Sequence, residues 1–146
     1  LVTDITRFVN YCKKKDKLPC IRLNGTSDIQ WETIKIDGHN IFDIFSTVQF
    51  YDYTKIPTRK VSEYKNYHLT WSYSEANMKY ANWFDKIAYN IAVVFNGDMP
   101  IHFKGREVVN GDESDLRFLD KGNVIVGLKA KGKARKDMSG FVIQAT

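Results

Sequence analysis

The sequence predicts an α/β fold with a mostly parallel sheet of about six strands. Three observations carry that expectation. Short apolar runs recur along the chain, each stopped by small or polar residues. More helical stretches lie between them, the alternation expected of βα units. Several runs, Ile91–Phe95 most clearly, are nearly continuous in apolar residues, as suits strands covered on both faces.

The elements follow in order. Val2, Ile5, Phe8, Val9 and Cys12 fall at helical spacing and predict an opening amphipathic helix. Lys13, Lys14, Lys15 and Lys17 crowd its last turn, where positive charge suits the carbonyl end of the helix dipole. Strands are expected at Cys20–Leu23, Val48–Tyr53, Tyr67–Trp71, Ile91–Phe95, Val108–Val109 and Val124–Leu128. Helices are expected at Ile41–Phe45, Lys60–Tyr64, Glu75–Tyr89 and Glu113–Leu119, the longest carrying Met78, Ala81, Trp83, Ile87 and Ala88 on one stripe. Asp37-Gly38 signals a turn, and Met99–Val109 reads alternatively as a hairpin around Lys104-Gly105.

The chain has 146 residues, 43% of them hydrophobic and 27% charged, which fits a single globular domain over residues 1–146. Disorder, collagen-like repeats and a disulfide-dense miniprotein are excluded. A complete eight-stranded βα barrel needs about 250 residues and is excluded too. The net charge of +5 leans toward polyanions. No stretch reaches the 18 or more apolar residues of a membrane span, and Asp4, Arg7 and Asn10 interrupt any signal-like run. The chain opens on Leu1, which suggests processing or a fragment of something longer. Cys12 and Cys20 read as buried or half-buried free thiols, which places the protein in a cytoplasm, although spacing leaves a disulfide between them open.

Polar residues follow the strand runs. In a parallel sheet those ends share one edge, where α/β folds bind ligands. Asp28, Glu32, Asp52, Asp112 and Asp115 are the candidate catalytic carboxylates, and together they could hold a divalent metal such as Mg²⁺ or Mn²⁺. Asn24, Thr26, Trp31, Tyr53, Lys55, Ser74, Glu75, Lys129 and Lys131 are the candidate substrate-binding residues, with Trp31 or Tyr53 able to stack a base. Helix capping is the plainer explanation for several of these, Ser74 and Asp112 above all, and ion pairing for the acids near lysines. The histidines His39, His68 and His102 show no ligand spacing. Dinucleotide, P-loop, zinc-protease and serine-hydrolase signatures are missing from the sequence. The densest positive patch is Lys129, Lys131, Lys133, Arg135 and Lys136, spaced by Ala and Gly, which reads equally as a phosphate-binding loop or a solvated one.

Five strings carry a resemblance. They are Arg22–Ile29 with Trp31-Glu32, Phe50–Lys55, Tyr67–Thr70 leading to Ser74-Glu75, Asn110–Glu113 with Asp115 and Arg117, and Gly127–Lys133. Together they make the chain from Leu18 onward similar to a family of tailed-phage proteins of unassigned activity, related to a mycobacteriophage gene-product group. The resemblance implies that longer relatives carry an upstream cysteine-bearing segment able to hold a metal or iron–sulfur cluster. It follows that this chain corresponds to the C-terminal portion. The layout also resembles a partial βα barrel, by analogy of fold alone.

Three functions are expected from this reading. The first is a phage protein in the host cytoplasm that binds or processes nucleic acid at the carboxyl ends of its strands. The second is a non-enzymatic phage protein that binds a host or defence protein. The third is an enzyme whose cofactor belongs to the upstream segment. A membrane is not among the expected partners.

Overall fold

A computed structural model describes residues 1–74, 84 and 87–145. The chain forms two compact units, Leu1–Asp52 with Arg59–His68, and Tyr53–Thr58 with Leu69–Thr146.

In the first unit, helix α1 (Val2–Lys14) buries Ile5 and Cys12, the face anticipated from spacing. Its last turn carries Lys13 and Lys14. Strand β1 (Cys20–Arg22) runs parallel to β2 (Gln49–Thr54), with Cys20 opposite Gln49 and Arg22 opposite Tyr51. Between them the chain makes a 3-10 turn at Trp31–Thr33 and an antiparallel bridge from Ile36 to His39. That bridge closes over Asp37 and Gly38, at φ 50° and 82°, the left-handed pair a tight hairpin turn requires. A short helix α2 (Ile41–Ile44) follows, held by a capping box. Asn40 accepts from the Phe42 and Asp43 amides while Asp43 accepts from the Asn40 amide. Behind the cap, Phe42 is stacked on Tyr67 with ring centroids 4.0 Å apart.

In the second unit, β3 (Tyr67–Ser72) pairs parallel with β4 (Asn90–Asn96) through Thr70–Ser72. On its other edge β4 pairs parallel with β7 (Ile125–Lys129), and β7 with β6 (Arg106–Asn110). Strand β5 (His102–Phe103) is antiparallel to β6 around Lys104-Gly105, confirming the hairpin alternative. Strand β8 (Val142–Gln144) lies parallel along Val94–Asn96 of β4, beyond the stretch occupied by β3. One face buries Trp71, Tyr73, Phe84, Ile87, Ile91, Val93, Phe95 and Ile125 in a common core.

The chain is therefore a mixed α/β protein whose strands pair mostly in parallel. The strand count and the βα-unit pattern need correction. Among the described residues there are eight strands rather than about six, the extra ones being β5 and β8. The sheet is open, as the exclusion of a complete barrel anticipated, with one partner each for the edge strands β1 and β5 among the described residues. The βα-unit pattern also fails at two places. Residues 60–64 make turns rather than a helix, with Tyr64 N–H bonded to Val61 and Tyr67 N–H to Tyr64. Residues 113–119 yield only a 3-10 turn at Arg117–Leu119. There the Ser114 hydroxyl accepts the Leu116 amide, a local bond that competes with helix formation. The expected helix at Glu75–Tyr89 falls largely on residues 75–83, 85 and 86, outside the described residues, as do Met78, Ala81 and Trp83.

Candidate functional site

Several of the anticipated residues gather in two places, one in each unit.

In the first unit, Asn24 sits just after β1 and is 1% exposed. Its side chain accepts from Ser27, from the Ile29 amide and from the Trp31 indole at 2.9 Å, while its amide group donates to the Ile29 carbonyl. One buried amide thus organises the whole 24–31 loop. The backbone N–H of Asn24 donates to Asp52 Oδ1 at 2.7 Å. Asp52 lies within β2 rather than after it, because alternation along the strand turns Phe50, Asp52 and Thr54 inward. Its other oxygen accepts from the Tyr67 hydroxyl.

Arg59 completes the set. Its guanidinium donates to both oxygens of Glu32, at 2.9 and 2.6 Å, to Asp28 at 3.1 Å and to the Tyr67 hydroxyl at 2.9 Å. The Arg59 side chain is 0% exposed. Such a fork satisfies several donors at once, which a buried guanidinium requires. Burial opposes the Arg59 charge, but Glu32 and Tyr67 outweigh it and hold the pKa above the ordinary arginine value. Burial drives Asp52 the other way, above the ordinary carboxylate value, against its bonds to Asn24 and Tyr67. Tyr67 is raised by its own burial and by the Asp52 charge.

This unit brings Asn24, Asp28, Trp31, Glu32 and Asp52 together, with Thr26 exposed on the loop. Asp28, Glu32 and Asp52 serve here as acceptors for Arg59, Tyr67 and a backbone amide. Arg59 and Tyr67 are the members that sequence reasoning missed. Neither carries a linear signal, since Arg59 stands in a polar stretch and Tyr67 opens an ordinary strand.

In the second unit, the carboxyl ends of β4, β6 and β7 meet. Asp112, after β6, accepts the Lys129 amide at 2.8 Å and pairs with the Lys131 ammonium at 3.2 Å. Burial disfavours the Asp112 charge, yet the Lys129 amide and Lys131 outweigh it and lower the pKa. Gly111 allows this close packing, since a Cβ there would clash with Val126 and lie 2.7 Å from Arg117 Nη1. After β7, Ala130 N–H bonds to the Phe95 carbonyl and the chain makes a 3-10 turn at Gly132–Lys136. Arg135 Nε donates to the Ala130 carbonyl, and Asn96 Nδ2 donates to the Arg135 carbonyl. Lys129, Lys131, Lys133, Arg135 and Lys136 are all exposed on this braced loop.

Tyr53, Lys55, Ser74 and Asp115 lie in the second unit as well. Asp115 is exposed, Tyr53 is half-buried, and Ser74 is 2% exposed. The Lys55 ammonium lies 5.9 Å from the Phe141 ring centroid. Glu75 falls outside the described residues. Among the described residues no group of three or more His, Cys, Asp or Glu side chains is placed to hold a metal ion. Cys12 is buried and Cys20 half-buried, both as free thiols. No helix among the described residues is long and apolar enough to cross a membrane.

These features define a mixed α/β protein with a braced basic loop and a buried charge network. The profile of the gene product 88 family, a phage gene-product family, matches residues 1–145, and the chain belongs to that family. Comparison with curated proteins and with solved structures gives no match to this chain.

Proposed function

We propose that this is a nucleic-acid-binding phage protein that grips the phosphate backbone with its Lys129–Lys136 loop. The observation that carries the reading is the loop itself. Five cationic side chains occupy eight consecutive positions, all exposed, on a backbone braced by Asp112, Asn96 and the Ala130 carbonyl. Ordered cations lose less entropy on meeting a polyanion than a floppy tail would. Backbone contacts of this kind position a protein on nucleic acid without reading its sequence.

The proposal is one of binding. A divalent ion would serve only a processing reaction, and the described carboxylates do not assemble a ligand set for one. The host cytoplasm is the proposed location, supported by the two free thiols.

Anisotropy titration with labelled duplex DNA and RNA at rising salt tests the proposal. Neutralising about five phosphates gives a log–log salt slope of about −4.5 on duplex DNA. Absence of binding at low salt, or binding indifferent to salt, would overturn it.

A second reading, contact with a host protein, is favoured by one observation. Helix α1 leaves Phe8 40% and Tyr11 57% exposed, flanking the face that buries Ile5 and Cys12. Pulldown from host lysate tests it. A stoichiometric partner lost in the Phe8→Glu and Tyr11→Glu variants supports this reading, and retention in both variants removes it.

A further inference from the structure

At the amino-terminal end of β2, within the first unit, lies an open cleft of about 710 Å³. That size falls in the roughly 300–1,000 Å³ range of small-ligand sites. No anticipated site residue lines it.

The cleft wall is preorganised by amides. Asn66 Nδ2 donates to the carbonyls of Phe42, Phe45 and Val48 at 3.1, 3.1 and 3.2 Å. Gln49 Nε2 donates to the Phe50 and Asn66 carbonyls at 2.9 and 3.3 Å. With both NH₂ groups committed to backbone, the side-chain carbonyl oxygens are the acceptors these amides offer a ligand. Asp43 and Glu63 add carboxylate acceptors, and Ser46 and Thr47 add exposed hydroxyls that both donate and accept. Burial, then the charges of Glu63 and Asp43, raise the Tyr64 pKa against an opposing Asn40 bond. Both carboxylates therefore act on one phenol at the cleft.

The lining selects among ligand classes. Phe42 and Val48 are its only apolar members, so an apolar ligand would strand polar groups. An anion would meet Asp43 and Glu63, and a cation would meet Lys65. What fits a lining of acceptors and hydroxyls that includes the Tyr64 phenol is a neutral molecule whose own hydroxyls donate and accept at once.

We propose that this cleft binds a neutral saccharide, its vicinal hydroxyls bridging the Asp43 and Glu63 carboxylates and the Asn66 and Gln49 amides. The site is independent of the Lys129–Lys136 loop, so either assignment stands or falls without the other. Because the cleft is open, affinity is weak, with Kd on the order of millimolar.

Amide NMR spectra of the full chain test this, with glucose, N-acetylglucosamine and their linear trimers as probes. Spermidine and inorganic phosphate serve as charged controls. The expected result is saturable shifts from at least one saccharide, confined to residues 39–49 and 63–66. Glu63→Gln, at an exposed position, should weaken that binding about tenfold, the effect of losing one charge-assisted hydrogen bond. Ser46→Ala provides a second exposed variant, and unchanged amide spectra elsewhere verify that both are folded. The proposal is overturned if none of the four saccharides gives saturable shifts there. It is equally overturned if neither variant weakens binding, or if only spermidine or phosphate occupies the cleft.

Discussion

The Tyr67 hydroxyl donates to Asp52 Oδ2 at 2.9 Å, with Tyr67 5% and Asp52 0% exposed. The same oxygen of Tyr67 accepts from Arg59, so one phenol stands between a buried carboxylate and a buried guanidinium. Removing it leaves Asp52 short of a donor and Arg59 short of an acceptor. Tyr67→Phe should cost about 1–3 kcal/mol, the penalty for unsatisfied buried partners. Urea denaturation of the variant and its parent measures the difference.

Arg59 should be the most sensitive position of the network. Its side chain is fully enclosed and is shared by Glu32, Asp28 and Tyr67. Arg59→Ala strands the Glu32 charge, and breaking one side of a buried pair costs about 3–5 kcal/mol. Arg59→Met combined with Glu32→Leu should retain more stability than Arg59→Ala alone. A shift in denaturation midpoint in that order checks the expectation.

Asp52 gives the network a pH signature. Its folded pKa lies above the ordinary 3.8 because burial disfavours the charged form. The folded protein thus holds this proton more tightly than the unfolded chain does. The contribution of Asp52 to stability is greatest in acid and declines as pH rises from 3.8 through the raised folded value. Relative to Asp52→Asn, which has no such titration, the parent should lose stability as pH rises from about 4 over the interval up to the raised folded value. Parallel denaturant titrations across that interval show the trend or its absence.

Two glycines should respond oppositely to the same change. A Cβ at Gly111 would overlap Val126 and come 2.8 Å from Leu128 Cδ2, so Gly111→Ala should cost about 1–3 kcal/mol. At Gly25 nothing lies within 4 Å, and Gly25→Ala should be neutral or stabilising by up to about 1 kcal/mol. Thermal melts of the two variants separate the cases.

The basic loop should act additively in binding and silently in folding. Lys133→Ala and Lys136→Ala remove exposed charges, and each should lower the salt slope by about 1. Folding stability should stay within about 0.5 kcal/mol of the parent. Anisotropy at several salt concentrations, beside a denaturation curve, tests both halves.

Much of the strand layout was legible because burial on both faces writes itself as an uninterrupted apolar run. Ile91–Phe95 and Val124–Leu128 became β4 and β7 within a residue or so of their expected limits. Val142–Gln144 escaped notice because three residues, one of them polar, make too short a run to stand out. The turns at Asp37-Gly38 and Lys104-Gly105 were legible for another reason, since positive φ restricts the residue types that fit. The helices expected at 60–64 and 113–119 were misread because side-chain and turn hydrogen bonds there prevailed over weak helical spacing.

The sequence by itself determined where strands and tight turns fall, through side-chain size, apolarity and backbone restriction, all of which act between near neighbours. Only the tertiary structure decided which charges are enclosed. Glu32 and Arg59 stand 27 residues apart, and Asp52 and Tyr67 stand 15. An ion pair or buried hydrogen bond depends on a few ångströms in space, and the chain's path between distant residues sets that distance.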